Sequence, residues 1–489
     1  RSKEAGMPDA GICSPGPHRS GRAGAAAYQW IDLMHEAGIT IWQILPLNPL
    51  GYGNSPYQPY SSYAGDELYI SLELLVEAGL LKELPEPFRT EEKRVDYEAV
   101  RAFKQPVLRT AYQSFKEKKQ DEDPEYQAFA ALDWVKTYTA FRALKKANGG
   151  VCWNEWKAED QNFPEGEREL TGEEQEEAGF HTFLQYIFYC QWMKVKTAAN
   201  EKGIRIMGDV PFYVGLDSAD VWGGKDNFLL DTDGRPVFIA GVPPDYFSAT
   251  GQRWGNPIYD WEHMKESGYQ FWMDRIGYSG KLFDIVRIDH FRAFDTFWKI
   301  PSSCPTAIEG EWIEAPGYEV LDLLTESFPK MELVAEDLGE LRPEVMTLKK
   351  HYHLKGMKIL VFAIETWRKR ACDGIADEKN MIIYTGTHDN DTLMEWYQNL
   401  TKAAKRKVRR FLRTEGFGTG SVKERLLGYT FASPAEYAIV PLQDILGLGR
   451  EGHMNTPGTV GSPNWEWHLP DFGRAEKEMK HLRHLFQRS

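Results

Sequence analysis

Short apolar runs that alternate with helical stretches constrain this chain more than any other feature. Residues 24–37 read as an amphipathic helix closed by Ala37-Gly38, and a compact apolar run, Ile39 to Leu45, follows and stops at Pro46. The same order recurs. Gly203 ends a helix and Ile204 to Val210 reads as a strand, as do Phe283 to Ile288, Leu333 to Ala335, Lys358 to Ile364 and Met381 to Tyr384. Strands with no polar alternation are buried on both faces, and helices between them supply the cover. At 489 residues, three ordinary domains or one α/β barrel with insertions both fit. We read a (β/α)8 TIM barrel with helical insertions.

Residues 85–200 break the alternation. Val100, Phe103, Val107, Leu108 and Phe115 recur at helical spacing. A second helix ends at Asn148-Gly149-Gly150. A third opens with Thr171 and Glu174 in capping-box positions and sets Phe180, Phe183, Leu184 and Ile187 on one face. The expected division is therefore 1–84 for the first part of the barrel, 85–200 for a helical insertion, and 201–489 for the remainder. That last part includes a loop at 241–261.

Three strands run into carboxylates. In FDIVRIDHF (283–291), alternation puts Phe283, Ile285, Arg287 and Asp289 on one face. Inward residues at the C-terminal end of a barrel strand face the active site. Arg287 beside Asp289 is expected to keep that carboxylate ionised, as suits a nucleophile; a structural ion pair is the alternative. In ELVAEDLGE (332–340), Glu336 ends an apolar run beside Asp337. Burial and a like charge raise such a carboxyl toward the range of a general acid, though either residue would also cap a helix. In IIYTGTHDNDT (382–392), alternation groups Thr385, Thr387 and Asp389; a helix cap at Asp391 or Thr392 is the other reading. Two carboxylates flanking a bond, with a third nearby, form the constellation of glycosidic chemistry.

These segments carry a resemblance, together with KGIRIMGDVPFYV (202–214), GVPPDYFSATGQRWGNPIYDW (241–261), LPLNPLGYGNSPYQPYSSYAGD (45–66) and the closing PGTVGSPNWEWHLP. Over nearly its whole length the chain resembles the amylomaltase or disproportionating-enzyme family of 4-α-glucanotransferases, glycoside hydrolase family 77 of the α-amylase clan. The resemblance implies Asp289 as nucleophile, Glu336 as acid/base, and Asp389 as transition-state stabiliser through sugar hydroxyls. It implies Arg287, His290 and His388 around the cleavage subsite and Asp209 as a further sugar contact. Ser55 and Tyr57 would line the donor side, and Asp245, Tyr246, Phe247 and Trp254 a loop over the acceptor cleft. The implied substrates are α-1,4-glucans and maltooligosaccharides, with no metal and no cofactor. Two stretches depart from the family pattern. The opening AGICSPGPHRSGRAG (10–24) is short, and His453 stands where the family usually carries Arg.

Transfer rather than hydrolysis requires that water be excluded and the acceptor held. Tyr246, Phe247, Trp254, Tyr259 and Trp261, interleaved with Gly251 and Gly255, offer a hinged aromatic loop for this; a packed surface loop is the alternative. A hydrolase of the same clan would use the same carboxylates, and a silent glucan-binding protein would be expected to lack one.

Other signals carry less. Lys plus Arg total 58 against 72 Asp plus Glu, and a net charge of -14 disfavours nucleic acid and anionic membranes. The basic run 402–413 then reads as a solvated helix face. Gly447, Gly449 and Gly452 fit GxGxxG without opening a helix, His351 and His353 lack a third ligand, and Asp231 with Asp233 reads as a turn. Five cysteines, odd in number and with no CxxC, suit a reducing compartment. No apolar stretch reaches membrane length, and RSKEAGMPDAG has no apolar leader core. The expected setting is the cytoplasm, or a plastid after removal of a transit peptide; a monomer and a homodimer both fit.

Overall fold

The computed structural model describes residues 9–14, 23–86, 94–246, 248–369, 379–469 and 472–487. The strands among them are β1 (Asp9–Ser14), β2 (Ile41–Ile44), β3 (Arg205–Pro211), β4 (Phe238–Val242), β5 (Gln252–Pro257), β6 (Ile285–Asp289), β7 (Thr296–Pro301), β8 (Glu311–Glu314), β9 (Glu332–Ala335), β10 (Gly356–Ile359), β11 (Met381–Tyr384) and β12 (Tyr437–Pro441). Eight form one sheet in the order β10-β11-β12-β1-β2-β3-β6-β9, every pairing parallel. A Val334–Lys355 bridge, with the Ala335 N–H donating to Lys355 O at 2.8 Å, brings the two ends together. The result is a (β/α)8 barrel.

The apolar runs become its staves because both of their faces are covered. Ile41, Ile44, Ile206, Met207, Ile285, Val286, Ile288, Ile382 and Ile383 are all essentially without solvent contact. At Gly208 any Cβ would lie inside the Phe283 ring, so the absent side chain sets how closely β3 approaches it. The short opening still supplies a strand: β1 pairs with β12 on one side and β2 on the other. The run 358–364 is not one strand. β10 stops at Ile359 and a helix, Leu360–Lys369, begins at once; an apolar stretch shared by a strand and the buried start of its helix hides the boundary.

Between β2 and β3 lie helices Tyr97–Glu117, Pro124–Ala130, Asp133–Ala147 and Gly172–Glu201. Thr171 and Glu174 form the expected capping box. Phe180, Phe183 and Leu184 join the same apolar core as the barrel strands. The basic run forms the helix Lys402–Thr414, burying Ala404, Val408, Phe411 and Leu412. His351 closes the helix Pro343–His351 rather than lying in a loop.

The 241–261 segment is more ordered than a loop. It belongs to an antiparallel sheet, β5-β4-β7-β8, that rises from the end of β6. Gly255, at φ +82°, sits where the β4–β5 register shifts, so it is a bulge within a strand. Gly251 (φ +71°) ends the turn between the two strands. Tyr259 is buried against Tyr213, and Trp261 opens a short helix. Of the aromatic set, Tyr246 is exposed and Trp254 half-buried. Phe247 lies outside the described residues.

Candidate active site

β6 and β9 set the two central carboxylates. Ile288 pairs with Ala335, so Asp289 and Glu336 follow directly on partnered residues of neighbouring strands. His290 then turns into a left-handed conformation (φ 55°), which reverses the chain over Glu336. Its N–H donates to Glu336 Oε2 at 2.8 Å, the Leu338 N–H donates to Oε1 at 3.0 Å, and the Phe291 N–H donates to the Glu336 carbonyl.

Arg287 is buried one turn of the pleat below Asp289. Its Nη1 donates to Asp209 Oδ1 at 2.7 Å and to Asp289 Oδ1 at 3.1 Å. Asp209, on β3, is 4% exposed and accepts the Tyr57 hydroxyl on its other oxygen. Geometry thus makes Asp209 the holder of Arg287 and Tyr57. Tyr57 in turn stacks on His388, with ring centroids 5.0 Å apart and planes 22° apart. His388 Nε2 lies 3.4 Å from Asp389 Oδ2. The Asn455 amide donates to Asp389 Oδ1 at 2.7 Å. One chain of polar contacts therefore joins Asp389, His388, Tyr57, Asp209, Arg287 and Asp289.

Asp389 does not reach the site by strand alternation. β11 ends at Tyr384, and the loop after it carries Asp389, with the Thr387 hydroxyl accepting from the Asp389 N–H. Thr385 points to Asp444 instead, and Thr392 with Glu395 caps the following helix. The capping reading of this segment holds at Thr392, and Asp389 lies outside the cap.

The charges differ in a useful way. Burial pushes Asp389 up, but His388 and Asn455 outweigh it and hold the carboxyl at about 2. His388, which burial alone would lower, is raised by Asp389. Burial raises Glu336 above the ordinary range, with Asp337 adding to it. Asp289 departs from expectation. Burial, Asp209 and Glu336 push it up, to about 7, although Arg287 and His388 pull it down. Arg287 does not hold it low because burial outweighs the pull of the cation, and Asp209 and Glu336 add to the push. Two neighbouring carboxyls in such a site cannot both ionise freely, so the Asp289–Glu336 pair holds a proton near neutrality. Burial drives His290 down to about 3, so this ring is neutral.

Trp254, on β5, meets His290 edge-on at 4.8 Å, and Gln58 donates to the Trp254 carbonyl at 3.2 Å. The NSPYQ segment and β5 therefore form adjoining walls. Ser55 is spent locally, its hydroxyl accepting the Tyr57 N–H at 3.2 Å. Asp245 stays outside the central cluster. It closes a turn by accepting from the Ser248 N–H at 2.7 Å, and Tyr246 is 95% exposed. Asn455 and Tyr213, which sits 6.2 Å from the His290 ring, were not legible as site residues. The polar Asn455 in a loop just past a barrel strand, in GHMNTPG, was the available signal.

The 4-alpha-glucanotransferase family matches residues 12–473. A 4-alpha-glucanotransferase of Thermus thermophilus is 42% identical over 470 residues, 93% of this chain and 92% of that protein. The chloroplastic/amyloplastic 4-alpha-glucanotransferase of Solanum tuberosum is 37% identical, over 96% of this chain and 83% of its own length. The amylomaltase of Streptococcus agalactiae, solved in complex with acarbose, superposes with a TM-score of 0.89 at 33% identity and covers 98% of this chain and 99% of that one. Barrel and relatives agree, and the chain belongs to glycoside hydrolase family 77, the 4-alpha-glucanotransferases.

Proposed function

We propose that this chain transfers α-1,4-glucan segments by a retaining mechanism, with Asp289 as nucleophile and Glu336 as acid/base. The placement of both residues directly after the paired Ile288 and Ala335 carries this reading. Adjacent strands lie about 4.8 Å apart, which makes the two carboxylates neighbours, and a retaining mechanism needs its two carboxyls about 5–5.5 Å apart. Glu336 gives its proton to the glycosidic oxygen as that bond breaks, and an Asp289 oxygen bonds to carbon 1. The acceptor 4-hydroxyl then attacks carbon 1, Glu336 takes its proton, and Asp289 leaves. Asp389, kept ionised, suits hydrogen bonds from sugar hydroxyls that strengthen as positive charge grows on the ring. Trp254 beside His290 supplies an apolar wall for the acceptor, with Asp245 and Tyr246 in the loop over that side and Ser55 with Tyr57 on the donor side.

The substrates are α-1,4-glucans and maltooligosaccharides, in the cytoplasm or a plastid. Residues 85–200 act as an inserted helical subdomain of the barrel. No described helix is long and apolar enough to cross a membrane. Incubation with pure maltotriose tests the reading. Longer oligosaccharides plus glucose at a constant count of reducing ends support transfer. A rising count with only shorter products makes the chain a hydrolase.

A further inference from the structure

His453 sits just beyond this site, and each of its ring nitrogens faces an acceptor. Nε2 lies 2.8 Å from the Asn455 carbonyl oxygen. Nδ1 lies 3.0 Å from Glu395 Oε2 and 3.5 Å from Asp391 Oδ1. Carbonyls and carboxylates only accept, and a neutral imidazole has a single N–H to give. The doubly protonated ring alone satisfies both sides. Glu395 is fixed for this contact, because the same oxygen accepts the Thr392 N–H as the reciprocal half of a helix cap. The His453 side chain is 18% exposed and that of Glu395 11%, so water is a poor substitute.

The far end of this contact is the transition-state carboxylate. Asn455 is 8% exposed, its N–H donates to the His388 carbonyl at 3.1 Å, and its side chain donates to Asp389. We infer that His453, as an imidazolium, is a positioning residue that ties the Asn455 peptide to Glu395 and so aims the Asn455 amide at Asp389. The charged groups around the ring are Asp391 and Glu395, with Arg450 from the preceding turn acting on Asp391, and Asp389 and His388 beyond Asn455. As pH rises and the ring loses a proton, one of its two bonds becomes an acceptor–acceptor contact, and the hold on Asn455 weakens.

The inference rests on the role of Asp389 proposed above. Its test compares wild type with His453→Arg, whose N–H donors and charge pH does not remove, and with His453→Gln. The ratio of wild-type to His453→Arg kcat on maltotriose cancels the Glu336 titration common to both. That ratio should stay level at acidic pH and fall about tenfold by about pH 8.5, the loss of one charge-assisted bond. His453→Gln should be low throughout and Arg should restore it. A ratio independent of pH overturns the inference, and so does a kcat lost to EDTA and restored by a divalent cation, which would put an ion where we place a proton. If a variant fails to fold, 15N NMR of the wild-type His453 ring decides: two protonated nitrogens are expected at the pH of greatest activity, and a single N–H there contradicts the inference. Asp389→Asn is run in parallel. If it stays active the mechanism fails; if it is dead while the ratio is flat, only His453 is wrong.

Discussion

Replacing Arg287 with Met tests how the site holds its charges. The side chain keeps similar length and loses its cation. Asp209, 2% exposed as a side chain, would then face only the Tyr57 hydroxyl, and Asp289 would lose its contact at 3.1 Å. Breaking a buried ion pair costs about 3–5 kcal/mol. Local rearrangement relieves part of that, so the low end, about 3 kcal/mol, is expected. A 489-residue chain unfolds with an entropy of about 1 kcal/mol/K, so the melting midpoint should fall by about 3 °C. The catalytic effect is larger. Asp289 titrates at about 7 with Arg287 present. Without that cation it rises, and a protonated carboxyl does not attack carbon 1. The acidic limb of kcat/KM should move up by more than about one pH unit, a tenfold loss or more on the acid side. Scanning calorimetry and the pH profile on maltotriose read the two effects. An unmoved acidic limb with an unchanged midpoint would refute the shared-cation argument.

Three further outcomes follow from the same geometry. Glu336→Gln should lose at least about 10³-fold in transfer between maltooligosaccharides, yet keep forming the glycosyl-enzyme from an α-glucosyl fluoride, which needs no proton on leaving; a burst of fluoride reads this, and its absence would remove Glu336 from the acid role. Trp254→Ala should raise the ratio of new reducing ends to transfer products several-fold by opening the acceptor wall beside His290, measured on maltotriose. Lys104 is fully buried, its ammonium donating to the Leu68 and Ile70 carbonyls, and burial lowers it to about 7. The unfolded chain then binds the extra proton between about pH 7 and 10, so wild-type stability should gain from this group across that window. Lys104→Met should remove that gain, seen as a midpoint difference that changes between pH 7 and 10.

The sequence made the barrel legible where apolar runs were short and cleanly bounded, as at Met381–Tyr384, and misled where one run served two elements, as at 358–364. β12 went unread because Tyr437–Pro441 runs straight into a buried turn of helix, Leu442–Ile445. The carboxylates were visible because each follows an apolar run. Their electrostatics were not. Arg287 precedes Asp289 by two residues, but its nearest partner, Asp209, comes from another strand, and only the parallel register between β3 and β6 brings it there. The 241–261 aromatics looked alike in sequence; burial separates Tyr259 from Trp254, and burial is a property of the packed sheet.

The covalent bond between Asp289 and the sugar is the step on which the mechanism turns. An activated fluoroglucosyl donor whose intermediate turns over slowly, followed by peptic digestion and mass spectrometry, measures it directly. One glycosyl adduct is expected on the peptide that carries Asp289, absent in Asp289→Asn. An unmodified peptide under conditions of turnover, or an adduct on a different carboxylate, would contradict it.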